Sequence, residues 1–276
     1  MKTNKRSLAY IPPILFLVAY TIWWAYIGLR QAGNPTIHQD FSGTYGVITL
    51  FGIAIGLTAS RKWGGYKSLV GKALICFSLG LAFQEFGQIV YYYYANYKNV
   101  AVSYPSIGDL GFFGSIPLYI YGAYLLAKTT GSSISLRAHK NKLIALIIPL
   151  IILSTSYTLF LRGYVFNWHH PLTVFLDFGY PFGQAIYISI GILAFLFSRK
   201  LLGGLMRPKI LLILFGLLAQ YAADFTFLYQ NHHGTWKAGG VNDYMYLISY
   251  FIMTIALVSF LNLPSARSTT PAPEEA

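Results

Sequence analysis

The stretch LVGKALICFSLGLAFQEFGQIVYYYYA, residues 69–95, decides the class of fold, because it is a long and mostly apolar run. A helix needs about 20 consecutive, predominantly apolar residues to cross the hydrocarbon core of a bilayer. One carboxylate, Glu85, lies well inside this run, and four consecutive tyrosines, Tyr91–Tyr94, lie near its end. The run therefore predicts a membrane-spanning helix that carries polar groups toward one end.

Runs of the same kind recur along the whole chain. Of the 276 residues, 55% are hydrophobic and only 10% are charged, which is too little charge to cover the surface of a soluble domain of this length. The sequence predicts an all-α, polytopic integral membrane protein with eight transmembrane helices, at roughly 8–29, 43–60, 69–95, 109–128, 143–162, 172–198, 209–230 and 243–263. We expect residues 1–263 to form one transmembrane domain and residues 264–276 to be a disordered cytoplasmic tail.

The basic residues predict the orientation of the chain in a cell membrane. With the N-terminus in the cytoplasm, 16 of the 20 Lys and Arg residues fall in cytoplasmic segments. The outer side then keeps four: Arg30, Lys98, Arg162 and Lys237. Basic loops resist translocation, so both termini are expected in the cytoplasm. This placement also accounts for the net charge of +12 without a nucleic-acid partner, and it predicts contact with membrane lipid.

Four aspartates suggest an internal repeat. Asp40, Asp109, Asp177 and Asp243 begin the outer ends of the even-numbered spans and are separated by 69, 68 and 66 residues. The spacing predicts tandem helical hairpins with a repeat of about 68 residues. For Asp109 and Asp243 we expect capping of a helix N-terminus in preference to ligand binding. Asp177 differs, because Pro171 is suited to open its helix and would leave Asp177 more than one turn inside.

The four consecutive tyrosines, Tyr91–Tyr94, are expected to lie in two different environments. A tyrosine at the membrane interface places its ring in lipid and its hydroxyl in water, so at least two of the four are predicted to form an aromatic belt. Four consecutive helical positions point in four directions, however. One or two of these tyrosines should therefore face the interior of the helix bundle.

Carboxylates inside the apolar spans are the strongest sign of function. Ionisable groups at that depth are costly and need a partner, and no Lys or Arg lies deep in any predicted span. Polar residues at helical spacing share a face with them on three helices, which predicts an outward-facing polar pocket. The predicted ligand-binding residues are Glu85, Gln88, Tyr92, Asp177, Tyr180, Gln184, Gln220 and Asp224. Two other interpretations stay open: neutral, hydrogen-bonded acids that lock helices together, and pairing with Arg162.

Other kinds of site find less support. Five histidines lie on the predicted outer side and could bind Zn²⁺: His38, His169, His170, His232 and His233. Adjacent His-His pairs lack the spacing of a dedicated zinc site, so we expect these histidines to be solvated loop residues. The only cysteine, Cys76, excludes an internal disulfide. No hydrolase, metalloprotease or phosphate-binding motif is present, so the sequence leans away from an enzyme and indicates no particular cofactor.

One short motif resembles a known family. The residues YPSIGDLGFF at 104–113, preceded by GQIVYYYYANY at 87–97, resemble the eight-helix membrane modules that precede histidine-kinase or diguanylate-cyclase domains in archaeal and bacterial signalling proteins. The resemblance implies a sensory module with eight helices. This sequence departs from the family's pattern in that no output domain follows the eighth predicted span. The resemblance therefore implies a stand-alone sensory module.

Two functions follow as expectations. The first is a sensory or accessory module that binds a small or cationic ligand, or protons, and signals through helix packing to a membrane-bound or cytoplasmic partner. The alternative is a small carrier that couples a solute to a cation at the same acids. Carriers often have broken helices, and Pro117 and Pro181 are the expected positions of such breaks. The oligomeric state is not defined by the sequence.

Overall fold

The computed structural model describes residues 8–30, 35–98, 100, 104–129, 139–158, 164–197 and 206–261. Within these ranges every regular element is helical. The α-helices are α1 (Ile11–Arg30), α2 (Pro35–Thr44), α3 (Ile48–Lys62), α4 (Leu69–Tyr92), α5 (Gly108–Thr129), α6 (His139–Ser156), α7 (Pro171–Phe197), α8 (Arg207–His232) and α9 (Val241–Leu261). The predicted tail at 264–276 and Arg162 lie outside the described residues.

Seven helical stretches among the described residues are long and apolar enough to cross a membrane. They are Leu8–Leu29, Thr36–Lys62, Leu69–Tyr97, Gly108–Thr129, Pro171–Leu196, Arg207–His232 and Val241–Leu261. This pattern is that of an all-helical, multi-pass membrane protein. The predicted fifth span, 143–162, corresponds to α6, of which Leu146–Thr155 forms a shorter apolar helix. Residues 159–162 of that span lie outside the described part of the chain, so the eighth crossing stays a prediction, as does the repeat.

Six helices form a closed ring. Its order is α3, α4, α5, α7, α8 and α9, and α9 returns to pack against α3. Outside the ring, α1 packs against α9 and α6 packs against α7. Buried aromatic side chains fill the interior, including Phe77, Tyr119, Tyr187 and Tyr250. Because the ring is closed, one end of it can enclose a cavity whose walls come from several helices.

Glycines allow the helices of the ring to approach closely. A Cβ atom on Gly52 would lie 2.6 Å from Leu81 of α4 and 2.7 Å from Thr254 of α9. A Cβ atom on Gly56 would lie 2.1 Å from Ser78. Gly52 and Gly56 thus form a small-xxx-small pair, a pattern typical of close helix packing in membranes.

The second span is broken, and the break was not predicted. α2 and α3 are separated by a 3₁₀ turn at Tyr45–Val47. Gly46 fits there because a Cβ atom would lie 2.6 Å from Glu85 Oε2 and 2.7 Å from Gln88 Cγ. The span also begins earlier than the predicted residue 43, so Asp40 lies inside α2 rather than at a helix start. In contrast, α5 and α7 run without interruption through Pro117 and Pro181, and the predicted breaks there are wrong.

Charged residues distinguish the two ends of the ring. One end, here called the basic end, carries Arg61 and Lys62 at the end of α3, Lys128 at the end of α5, and Arg207 and Lys209 at the start of α8. At the opposite end α4 and α8 finish and α5 and α9 begin. That opposite end contains the cavity described next and is called the cavity end.

Candidate functional site

A cavity of about 120 Å³, partly open to the outside, lies inside the cavity end of the ring. Its walls come from the last turns of α4 and α8, the first turns of α5 and α9, the broken second span, α7 and two connecting segments. The lining residues are Ser42, Tyr45, Gly87, Gln88, Tyr91, Tyr104, Ser106, Asp109, Phe112, Tyr180, Asp224, Phe227, Leu228, Asn231, Trp236, Asn242, Asp243 and Tyr246. Three of them are carboxylates, and none of the lining residues that the structure describes carries a positive charge.

Asp224 is the most highly hydrogen-bonded of these carboxylates. Tyr246 of α9 donates its hydroxyl to Oδ1 at 2.7 Å, and Gln184 of α7 donates its amide to Oδ2 at 2.5 Å. Gln220, one turn earlier on α8, donates to both oxygens at 3.1 Å. Ser249 donates in turn to Gln220 Oε1 at 2.9 Å. All of these partners of Asp224 are donors, which is the arrangement that suits an ionised carboxylate.

Asp109 combines a capping role with a place in the cavity wall. Its Oδ2 accepts a hydrogen bond from the Ser106 backbone N–H at 2.7 Å, while Ser106 Oγ accepts from the Gly108 N–H at 3.1 Å. This reciprocal pair is a capping box at the start of α5. The capping prediction for Asp109 is therefore confirmed. The other oxygen, Oδ1, accepts from the Tyr180 hydroxyl at 2.8 Å and ties α5 to α7.

Asp243 has the same double position at the start of α9. Its Oδ2 accepts from the Gly239 backbone N–H at 2.7 Å. Gly239 adopts a left-handed conformation with φ of 69°, which a side chain would strain. Ser42 also hydrogen-bonds to Asp243, and the Tyr91 hydroxyl hydrogen-bonds to Ser42. The broken second span and α4 are thereby connected to the start of α9.

Aromatic rings line the cavity in an unbroken series. Tyr91 contacts Trp236 edge-to-face at a centroid distance of 5.9 Å. Trp236 contacts Phe227 at 6.3 Å, and Phe227 contacts Tyr104 at 6.2 Å. Edge-to-face contacts of this kind stabilise a fixed arrangement of rings by about 0.5–1.5 kcal/mol each. The series, here called the aromatic wall, joins α4, α8 and both connecting segments.

Tyr104 anchors one end of the aromatic wall to α7. Its hydroxyl donates to Asp177 Oδ1 at 2.8 Å, and the Tyr164 hydroxyl donates to Asp177 Oδ2 at 2.7 Å. Burial and the neighbouring Asp177 charge raise the pKa of the Tyr104 phenol above its ordinary value. Burial and the hydrogen bond to Asp177 raise the pKa of Tyr164 in the same direction. Both phenols therefore stay protonated and able to donate at neutral pH.

We expect the two tyrosines to act as partly redundant anchors of Asp177. Tyr104→Phe or Tyr164→Phe alone should lower the free energy of unfolding by about 1 kcal/mol, because the carboxylate keeps one donor. The double variant should cost more than the sum of the two, since it removes both donors from Asp177. Equilibrium unfolding of the four proteins in lipid measures the coupling, and strict additivity would contradict a shared anchor.

Two residues of the cavity lining each have a buried polar side-chain atom that finds no hydrogen-bond partner among the described residues. Asn242 is 1% exposed and donates its amide to the Ala223 carbonyl at 2.7 Å, but its Oδ1 has no hydrogen-bond partner among the described residues. The Trp236 Nε1 atom is likewise buried and without a partner in that part of the chain. A buried polar group without a partner is costly, so such atoms mark places where a ligand can bind.

Three of the predicted site residues line the cavity: Gln88, Tyr180 and Asp224. Gln184 and Gln220 lie behind it and hold Asp224. The other three, Glu85, Tyr92 and Asp177, lie outside the lining. Glu85 is buried one turn deeper and accepts a hydrogen bond from Thr49 at 3.0 Å. Tyr92 is 40% exposed and packs over Gly43. Its neighbour Tyr91 lines the cavity instead.

Sequence reasoning missed most of the aromatic and loop residues of the site. Trp236 and Tyr104 lie in connecting segments, where helical spacing gives no information about position. Asp109 and Asp243 were assigned to capping, although a carboxylate that caps a helix can also face a cavity. Asp109 and Asp243 share two features that could have identified them: both begin helices at the cavity end, and each is followed one turn later by an aromatic residue, Phe112 or Tyr246.

The histidines of the cavity end do not converge. Across the described ranges, no group of three or more His, Cys, Asp or Glu side chains is placed to hold a metal ion. His232 and His233 lie in contact with each other at the end of α8 and are exposed. His169 and His170 are also exposed, next to the start of α7. None of the described histidines lines the cavity.

Comparison with family models, with curated proteins and with solved structures gives no match for this chain.

Proposed function

We propose that this chain is a membrane module that binds a small, positively charged ligand in the cavity and signals through helix packing to a membrane-bound or cytoplasmic partner. The observation that carries the proposal is the charge of the lining: it contains Asp109, Asp224 and Asp243, and no Lys, Arg or His is among the described residues that form it. Charges of one sign around a low-dielectric cleft concentrate ions of the opposite sign. A bound cation would supply the missing counter-charge.

The proposed access route is from outside the cell. The basic end of the ring matches the side that the positive-inside rule places in the cytoplasm. The cavity lies at the opposite end, so a ligand would enter without crossing the bilayer.

Cysteine labelling tests this orientation. In a Cys76→Ala background, Thr235→Cys at the cavity end should react with a membrane-impermeant maleimide in intact cells, because Thr235 is exposed. Tyr66→Cys, which replaces a residue 71% exposed at the basic end, should react only after permeabilisation. Neither change alters a charge, so the topology signal is preserved. The reverse labelling pattern would contradict an external cavity.

Ligand binding would be transmitted because the lining residues lie on several helices at once. Asp224 connects α7, α8 and α9 through Gln184 and Tyr246, and Asp109 connects α5 and α7 through Tyr180. A cation that attracts both carboxylates favours arrangements of the six-helix ring in which the hydrogen bonds of Asp109 and Asp224 to neighbouring helices are short. The ligand shifts the population of packed states only by as much as it binds one of them better.

The alternative function is a cation-coupled solute carrier, and one observation favours it. The second span is interrupted at Tyr45–Val47, and two residues there line the cavity: Ser42 before the break and Tyr45 within it. Discontinuous helices at a mid-bundle binding site are a feature of many secondary transporters. The break would then serve as the hinge for alternating access.

Current measurements on proteoliposomes separate the two functions. After a jump in sodium, potassium or trimethylammonium concentration, a receptor should give a brief binding current whose charge saturates. A carrier should give a sustained current or tracer uptake that depends on a gradient. We expect the binding current alone, and we expect Asp224→Asn to need about 100-fold more cation to reach the same charge. Sustained uptake in wild-type protein would favour the carrier, whereas no current with any cation would overturn the binding proposal.

A further inference from the structure

We infer that the ligand is a small alkylammonium ion, surrounded by aromatic rings rather than coordinated directly by carboxylates. This inference rests on the proposed function and specifies its ligand class. Three features of the cavity support it: the aromatic rings that line it, the donors that already occupy Asp224, and the Asn242 acceptor that has no partner among the described residues.

The aromatic wall provides the surroundings that organic cations prefer. Tyr91, Trp236, Phe227 and Tyr104 follow one another around the cavity at centroid distances of 5.9–6.3 Å. Tyr246 and Tyr45, which also line the cavity, stack on each other at a centroid distance of 6.2 Å. A cation within about 6 Å of such ring faces is attracted by their quadrupoles, and tryptophan is the most effective of them. An ammonium ion covered by methyl groups can lie against rings without losing strong hydrogen bonds to water.

The carboxylates are poorly placed to coordinate a metal ion directly. A carboxylate has about four lone-pair positions that can accept hydrogen bonds. On Asp224 four hydrogen bonds occupy them: one from Tyr246, one from Gln184 and two from Gln220. Asp109 accepts at both of its oxygens as well. In the described part of the chain these acids form no group that could hold a metal ion. They act on a ligand through their charge, which needs no direct bond.

We expect Asn242 to provide one polar contact for the ligand. The Oδ1 atom of this buried side chain lacks a partner among the described residues, and the residue adjoins Asp243 in the lining. An acceptor at this position suits an N–H group that carries a positive charge. A tertiary ammonium ion has one such N–H and three alkyl groups, which matches one acceptor inside a largely aromatic enclosure.

The size of the cavity limits the ligand to a few heavy atoms. Its volume is about 120 Å³. An apolar cavity of about 150 Å³ accepts a benzene molecule. Trimethylammonium is therefore a suitable probe, and tert-butanol is its neutral counterpart, with three methyl groups and one polar hydrogen.

Saturation-transfer NMR on the full chain in lipid nanodiscs measures the binding of both probes through their methyl protons. Empty nanodiscs correct for partition into lipid. We expect trimethylammonium to bind at least tenfold more tightly than tert-butanol, because the carboxylates and rings act on its charge. Sodium and potassium, added as competitors, should displace it weakly.

Substitutions of Trp236 test the role of the rings. Trp236→Phe keeps a ring with a weaker quadrupole and should lower the affinity for trimethylammonium about threefold, and Trp236→Leu should lower it about tenfold. The affinity for tert-butanol should change little across the same series. The matched control is Trp168→Leu, at an aromatic residue 70% exposed outside the cavity, which should leave both affinities unchanged.

The outcomes separate this inference from the function on which it rests. Equal affinity for the two probes, or a parallel loss of both in Trp236→Leu, would show an apolar wall and overturn the inference. Binding of sodium or potassium that depends on Asp224, without binding of trimethylammonium, would overturn the inference but leave a cation-binding module. Failure of all these cations to bind would overturn both.

Discussion

Asp224→Asn is expected to reduce the affinity of the cavity for a small cation by about 100-fold, which corresponds to about 2.7 kcal/mol. The change removes one negative charge and little volume. Gln184 and Gln220 can rotate their amides to pair with the new side chain, so we expect the free energy of unfolding to fall by only about 1 kcal/mol. A titration with trimethylammonium and an unfolding curve on the same protein measure both quantities.

Asp40→Asn is the matched control for this prediction. Asp40 lies at the cavity end and accepts a hydrogen bond from Asn96 at 2.9 Å, but it does not line the cavity. Removing its charge should change the affinity by less than about threefold, because a partly exposed charge is screened. A similar loss of affinity in both variants would show a general effect of surface charge and contradict a specific role for Asp224.

Gly111→Ala is expected to have the largest effect on stability. A Cβ atom at Gly111 of α5 would lie 2.4 Å from the Phe83 carbonyl oxygen and 2.7 Å from the Gly87 backbone nitrogen, both in α4. Backbone atoms cannot rotate away, so the two helices must separate. We expect the free energy of unfolding to fall by about 3 kcal/mol, the upper part of the usual range for overpacking. Gly87 also lines the cavity, so the affinity for trimethylammonium should fall in parallel.

Gly28→Ala provides the comparison within the same fold. Gly28 is in α1, and a Cβ atom there would have no neighbour within 4 Å. The same substitution should be neutral, or should stabilise by up to about 1 kcal/mol through helix propensity. Thermal unfolding of both variants in the same lipid measures the contrast. If Gly111→Ala unfolds like the wild type, the close approach of α4 and α5 is wrong.

Helix content and most of the spans could be predicted because they depend on local sequence. Runs such as 69–95 have few alternatives to a helix once they are in a bilayer, since every backbone polar group must be satisfied within the segment. The start of the second span and its break could not be predicted in this way. The 3₁₀ turn at Tyr45–Val47 contains no proline and is fitted to Glu85 and Gln88 of a different helix. Such a feature depends on tertiary packing.

The site was predicted only in part for a related reason. Helical spacing shows which residues share a face of one helix, but the rotation of that helix against its neighbours is set by packing. Gln88, which the sequence predicts in the pocket, does line the cavity, whereas the predicted Tyr92 does not and its neighbour Tyr91 does. The four consecutive tyrosines do divide between two environments, with Tyr92 and Tyr93 each at least 40% exposed. Loop residues such as Trp236 had no periodic pattern from which to predict them.

The most direct test of a negatively charged cavity open at one end is the rate of thiol modification at Asn231→Cys in a Cys76→Ala background. Asn231 is exposed and lines the cavity, whereas Thr235, four residues later, is exposed outside it. Each rate is divided by the rate of the same reagent with a small free thiol. After this correction, a positively charged methanethiosulfonate should modify Asn231→Cys at least tenfold faster than a negatively charged one. Thr235→Cys should show little preference, and Asp224→Asn should reduce the preference at Asn231→Cys. Equal rates for the two reagents at Asn231→Cys, or a faster reaction of the negative one, would contradict a cation-binding cavity.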